Sequence, residues 1–289
     1  MNSTNVPGRG TRDSFLVAQL SDIHCGSQFF DPQLLHHAVE EVKAVAPDLV
    51  LIGGDLTTDG YAHEFREAEN HLQPLLAAEL TTVVIPGNHD AKNVGYLHFV
   101  DSFGPGDVPG KGDRVLHLTG SAGQAVTLVA MDSTKPDLAE GEIGRERYSW
   151  IRQQFSGPTD LRIFALHHHL VPVPGTGRER NTVWDSGDVL ALLGEVGVNV
   201  VLSGHKHVPF VWLLNDLLVV NSGTVSSHRL RGYVRPSYNL LEITQDRIVV
   251  TLRYPGTGER HAAELDRGEM RLHPNPELAG MFAKSAWHA

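Results

Sequence analysis

The chain has 289 residues, 41% of them hydrophobic, which is enough to bury the core of one large domain or two small ones. Its 24 basic and 34 acidic residues leave a formal net charge of −10, which speaks against nucleic acid as a partner but not against a small phosphorylated substrate met by bound cations. The single cysteine, Cys25, excludes an intrachain disulfide and any sulfur-rich metal site, so a metal would need nitrogen and oxygen ligands, and seventeen histidines are available to supply the nitrogen.

The segment 1–14 is polar, lacks the apolar stretch of a signal peptide, and is expected to be a flexible N-terminal segment. No apolar run reaches the roughly 18 residues of a membrane span. A cytoplasmic protein with no membrane partner is the expectation.

Short apolar runs then recur, each followed by a polar or glycine-rich turn: Phe15 to Leu20, Leu49 to Gly54, Thr82 to Pro86, Val126 to Met131, Leu161 to Leu166 and Val198 to Leu202. They read as buried strands. The clearest helix between them opens at Asp31 as N-cap with Pro32 in the first turn, and Leu34, Leu35, Ala38, Val39, Val42 and Val45 draw one apolar stripe. Further helices are expected over Ala62 to Ala78, Asn93 to Phe103, Arg145 to Phe155 and Ser186 to Val196. Strand and helix alternate, which predicts an α/β fold. After Val198 strands follow one another, at Phe210 to Leu214, Leu217 to Asn221, Asn239 to Thr244 and Arg247 to Tyr254, so the second half adds antiparallel pairs. One domain over 15–260 is expected, with 261–289 as a tail of unreadable role.

Polar residues of ligand type stand directly after five of these strands. Asp22 and His24 follow the first, Asp55 the second, and Asn88, His89 and Asp90 the third; His167, His168 and His169 follow the strand from Leu161, and His205 and His207 the strand from Val198. Ligands in α/β sheets bind outside the carboxyl ends of strands. Each of these residues alone is more often a cap or turn residue than a ligand, but capping chemistry does not explain the whole set in this order. Two or three carboxylates, four or more imidazoles and an Asn carbonyl are too many for one ion and suit two ions sharing a carboxylate, with Asp55 the choice for the bridge. Such a pair can clamp a phosphate and turn water into a hydroxide that attacks in line, while His89, next to Asn88, can protonate the departing alkoxide, its ring oriented by Asp90 or Asp55. Manganese, iron or zinc suits this donor set.

Cys25 reads as a packing residue. Of His36 and His37, one should face the core edge and the other solvent. Arg178, Arg180, Arg229 and Arg231 read as solvated charge, with contact to substrate phosphate as the alternative.

The series Asp22-x-His24, Gly54-Asp55, Gly87-Asn88-His89-Asp90, His167-His168 and Gly204-His205-x-His207 resembles the signature of the calcineurin-like metallophosphoesterase superfamily. Within it the chain is similar to bacterial class III cyclic nucleotide phosphodiesterases and glycerophosphodiesterases, a similarity that continues through Asn221 to Thr224 and Tyr238 to Asn239. The resemblance implies a four-layer α/β/β/α sandwich of two mixed sheets flanked by helices. It puts Asp22, His24, Asp55 and His207 on one metal and Asp55, Asn88, His167 and His205 on the other, with His168 as the alternative to His167 and with His89 off the metals. It also implies hydrolysis of phosphodiesters, cyclic nucleotides or small ones, with a phosphomonoesterase or nucleotide pyrophosphatase as the enzymatic alternative. A non-catalytic scaffold, the remaining alternative, would be expected to lack ligands. A homo-oligomer is a possible partner state.

Overall fold

The computed structural model describes residues 12–104, 106–107, 112–176, 182–231 and 234–278. Arg178 and Arg180 therefore lie outside the described residues, as does nearly all of 1–14.

Thirteen strands are present among the described residues: β1 Phe15–Leu20, β2 Leu49–Ile52, β3 Thr82–Val84, β4 Arg114–Thr119, β5 Ala125–Met131, β6 Leu161–Leu166, β7 Val200–Ser203, β8 Phe210–Leu214, β9 Leu217–Asn221, β10 Tyr238–Ile243, β11 Arg247–Tyr254, β12 Gly258–Asp266 and β13 Arg271–Pro274. The α-helices are α1 Pro32–Val45, α2 Ala62–Leu76, α3 Gly95–Phe103, α4 Tyr148–Gln154 and α5 Ser186–Glu195, with a 3₁₀ turn at Arg145–Arg147 leading into α4. One sheet has the order β13-β12-β11-β10-β1-β2-β3 and the other β4-β5-β6-β7-β9-β8. Within them β1, β2 and β3 run parallel, as do β5, β6, β7 and β9, and antiparallel strands close the flanks.

The period of two along each strand sorts side chains into layers. In β1, Phe15 and Val17 enter the apolar layer between the sheets with Leu51, Leu128, Ile163, Leu202 and Leu218, whereas Ala18 and Leu20 face outward to Leu35, Val39, Phe65 and Leu72 of α1 and α2. On the other sheet Val129, Phe164 and Leu166 face Ile151 of α4 and Val189, Leu192 and Leu193 of α5. The result is the four-layer α/β/β/α sandwich. Asp31 caps α1 as expected, its carboxylate accepting from the amides of Gln33 and Leu34, and Ala46 ends the helix in a left-handed turn.

Three expectations change. Strand β4 joins the expected set: it is an edge strand with two of its six side chains exposed and none fully buried, so its sequence shows no buried alternation. The expected boundary at 260 falls inside β12, which with β13 extends the first sheet to Pro274; the tail reading fails for 261–274 because Ala263 and Leu265 alone of that strand are buried. His36 and His37 are both exposed on α1.

Candidate metal centre

The carboxyl ends of β1, β2, β3, β6 and β7 meet at one rim of the sandwich, and the loops leaving them deliver all seven expected ligands there: Asp22, His24, Asp55, Asn88, His167, His205 and His207, none more than 8% exposed. Their backbones are unusual. Asp22, His24, Asp55, His205 and His207 have φ between 53° and 74°, the left-handed region that costs non-glycine residues energy. Among the described residues, five of the ten non-glycine residues in that region are thus expected ligands, and the strain concentrates at the site. The loops carrying Asp55 and Asn88 also lie back to back: a Cβ on Gly87 would come 2.3 Å from the amide nitrogen of Asp55. Only glycine permits that approach.

Three groups of ligand atoms result, each within 4.8 Å: Asp22, His24 and His207; His24, Asp55 and His89; and Asp55, His167 and His205. Asp55 Oδ2 lies 3.7 Å from His24 Nε2 and 3.3 Å from His167 Nε2, between the two outer triads. Second contacts fix which nitrogen each ring presents. His167 Nδ1–H donates to the Gly53 carbonyl at 2.7 Å and His207 Nδ1–H to the Arg229 carbonyl at 2.8 Å, so these two rings turn Nε2 to the cluster, whereas His205 meets Asn88 Oδ1 through Nδ1 at 2.9 Å. The carboxylate of Asp22 accepts from the His205 amide through Oδ2, while the hydroxyls of Thr224 and Ser226 hold the carbonyls of Asp22 and Ile23. Below the cluster, Gln19, Ser203, Asn221 and Asn239 are linked by hydrogen bonds that tie the two sheets together.

This donor set fits divalent ions. Asp22 Oδ1, His167 Nε2 and His205 Nε2 are buried without a hydrogen-bond partner, and His24 Nε2 faces His207 Nε2 at 2.9 Å. Buried polar atoms are normally paired, and a cation among these atoms would supply the missing partner. The electrostatics point the same way. Burial opposes the charged form of Asp55, yet His167, His89 and His24 around it hold its carboxyl well below the usual carboxylate range. Burial likewise works against protonated His167, but Asp55 raises that ring to about 9. Burial holds His24 down to about 3 and keeps His205 and His168 neutral.

His89 is half-buried and sits at the mouth of the cluster, its amide donating to Asp55 Oδ1 at 2.8 Å. Its ring is not oriented by Asp90 or Asp55: Nδ1 meets the Thr58 carbonyl. Asp90 points the other way, fully buried, and accepts from the amides of Leu56, Thr57 and Gly87 and from the Thr57 hydroxyl, pinning the Asp55 loop to the Asn88 loop. His168 hydrogen-bonds Ser133 Oγ through Nδ1 at 2.8 Å and belongs to none of the three ligand groups. Cys25 is buried, and burial pushes its thiol up. The Arg229 side chain is exposed; what reaches the site is its main-chain carbonyl. Sequence reasoning missed Thr224, Ser226 and that carbonyl, because nothing in a Ser/Thr-rich stretch signals which main-chain groups lie opposite.

A two-sheet sandwich with carboxylates and imidazoles gathered at its strand ends is an arrangement suited to binding metal ions. The model of the calcineurin-like phosphoesterase family matches residues 15–209, and the chain belongs to that family. Among curated proteins it is 26% identical over 206 residues to a probable cyclic nucleotide phosphodiesterase of Synechococcus sp., covering 68% of this chain and 74% of the relative. It is 26% identical over 231 residues to a probable glycerophosphodiester phosphodiesterase of Arcobacter nitrofigilis, covering 73% and 78%. Among solved structures, a dimetal phosphatase from Danio rerio shares the fold with a TM-score of 0.65 at 13% identity, covering 86% of this chain and 98% of that one. No helix among the described residues is long and apolar enough to cross a membrane.

Proposed function

We propose that the chain hydrolyses phosphodiesters, cyclic nucleotides or small diesters, with two divalent ions held in the rim cluster. The observation that carries this reading is the place of Asp55 Oδ2, within 3.7 Å of His24 Nε2 on one side and 3.3 Å of His167 Nε2 on the other. Asp22, His24 and His207 would complete one ion's ligands, and Asn88, His167 and His205 the other's. Bound there, the ions would supply Lewis-acid polarisation of the phosphoryl oxygens and acidify water. Manganese, iron and zinc all suit the mixed imidazole and carboxylate set.

The chain's own residues do the rest. His167 and His207 are held in one tautomer by their Nδ1–H bonds to main-chain carbonyls, so binding an ion requires no rearrangement of those rings. His89, with Nδ1 against the Thr58 carbonyl, leaves Nε2 to carry, in the protonated ring, the proton that a departing alkoxide needs. The choice of diesters follows the names of the relatives above, which cover about 70% of the chain. A scaffold that had lost its chemistry would have lost ligands, and all seven positions are filled.

The test is hydrolysis of cyclic AMP, bis-p-nitrophenyl phosphate and p-nitrophenyl phosphate by chelator-treated protein resupplied with Mn²⁺, Fe²⁺ or Zn²⁺. Metal-dependent cleavage of the two diesters is the expected result. Cleavage of the monoester alone would replace the reading with a phosphomonoesterase.

A further inference from the structure

The segment 133–142, between β5 and the 3₁₀ turn before α4, walls one side of the rim cluster. At one end it meets the loop that carries His89: the Asp137 amide donates to the Ala91 carbonyl at 3.3 Å, and Asp137 Oδ1 accepts from the Asn93 amide at 2.6 Å. At the other end it lies against His168. A Cβ on Gly141 would come 2.6 Å from that ring's Nδ1, and the His168 ring is centred 4.8 Å from that of His205. The strip 183–185 continues the wall, with the Trp184 amide donating to the Gly141 carbonyl at 2.8 Å and the Val183 amide to the His169 carbonyl at 3.3 Å.

Both neighbours of Trp184 are anchored. Val183 is buried in one apolar cluster with Ile143, Phe164 and Leu166. Asp185 accepts from the amides of Ile143 at 3.0 Å and Gly144 at 2.8 Å and from the Tyr148 hydroxyl at 2.8 Å. Between these anchors Trp184 is 57% exposed, more than any other large apolar side chain among the described residues. Lys135, which pairs with Glu142, holds its Nζ 4.3 Å from the centre of the indole, over one face. A cation there is attracted by the ring and restrains its plane. An indole buries more apolar area than almost any other side chain, yet this one is kept in solvent beside the cluster, on ordered backbone and under a cation. A ligand meeting it would find the aromatic surface already ordered.

We propose that Trp184 is a specificity-determining residue for the rim site: the indole face opposite Lys135 stacks on the base of a nucleotide whose phosphate lies at the metal cluster. The inference rests on the phosphodiesterase reading above and adds the part of the substrate that reading leaves open. In a cyclic nucleotide the base stands one ribose away from the phosphate, and Trp184 stands one residue, Gly141, away from the His168 ring. Every base has a π face, so stacking here favours a nucleotide over an aliphatic diester without selecting one base. The contact is one of binding alone, and no bond forms or breaks at the indole.

Trp184→Ala and Trp184→Phe test it on two esters that differ only in the base: cyclic AMP, and methyl ribofuranoside 3,5-cyclic phosphate, which carries a methoxy group in place of adenine. In Mn²⁺-loaded protein, KM of Trp184→Ala for cyclic AMP should rise about tenfold with kcat changed less than about twofold, while the base-free ester is unaffected. Trp184→Phe, which keeps a smaller ring, should recover most of the loss. Because the side chain is exposed, both variants should melt within about 2–4 °C of the parent. In Zn²⁺-loaded protein, 5′-AMP should quench tryptophan fluorescence in the parent and not in Trp184→Phe, a readout that needs no turnover. An unchanged KM for cyclic AMP in Trp184→Ala, equal changes on both esters, or quenching that is absent from the parent or persists in Trp184→Phe overturns the proposal. A parent that turns over neither ester would instead withdraw the phosphodiesterase reading, and the fluorescence titration would still decide whether a base stacks on Trp184.

Discussion

The apolar layer between the sheets and the polar cluster at its rim are built on the same strands, and they follow opposite rules. Phe15, Val17, Leu51, Leu128, Ile163, Leu202 and Leu218 are buried in regular extended backbone against their own kind. A few residues further along, Asp22, Asp55 and His205 turn left-handed, and Asp22 Oδ1 and His205 Nε2 are buried without a hydrogen-bond partner. The layer is stable and chemically idle, whereas the rim spends stability on geometry. Changes in the layer should therefore cost stability and spare turnover, and changes at the rim should do the reverse.

The sharpest way to break that contrast is His89→Ala, which should lower kcat on cyclic AMP by about 10²–10⁴-fold with little change in melting temperature, as steady-state kinetics and calorimetry would show. Arg147 offers the opposite case. Its Nη1 donates to both carboxylate oxygens of buried Asp113 at 2.8 and 3.0 Å, and Arg147→Met should cost about 3–5 kcal/mol in urea unfolding by leaving that carboxylate uncompensated. Leu128→Ala should destabilise by about 2–5 kcal/mol with turnover retained.

The smallest effect concerns pH. Metal-free protein should be most stable near pH 6.5. Below that, His24, held down to about 3, and the buried neutral His168 and His205 take up protons in the unfolded chain first, so stability falls with pH. Asp90, pushed up to about 6 by burial and by Asp55, and Asp113, raised by burial, pull the other way against these three histidines. Above pH 6.5, His167, raised to about 9, keeps in the folded state a proton that the unfolded chain releases, so stability falls again as pH rises. Melts in chelator from about pH 5 to 9 would show this peak, and a steady rise to pH 9 would contradict it.

Much of this was legible from residue order. The strand at Phe15–Leu20 and the grouping of Asp22, Asp55, Asn88, His167 and His205 could be read because each ligand directly follows a buried run and the sheet brings strand ends together. Strands β4 and β12 were not legible, since no residue of β4 is fully buried and in β12 only Ala263 and Leu265 are, too short a run to show alternation. The role of Asp90 was hidden for a different reason. Its partner Thr57 lies 33 residues away, and a main-chain amide has no signature in sequence.

The central claim is that the rim cluster holds two ions across Asp55 and that hydrolysis depends on them. Metal content per chain, measured together with cyclic AMP turnover for the parent and for Asp55→Ala, tests it most directly. The account predicts two ions in the parent, one or none in a folded Asp55→Ala, and turnover lost with them; a parent that binds a single ion, or an Asp55→Ala protein that keeps both its ions and its turnover, would contradict it.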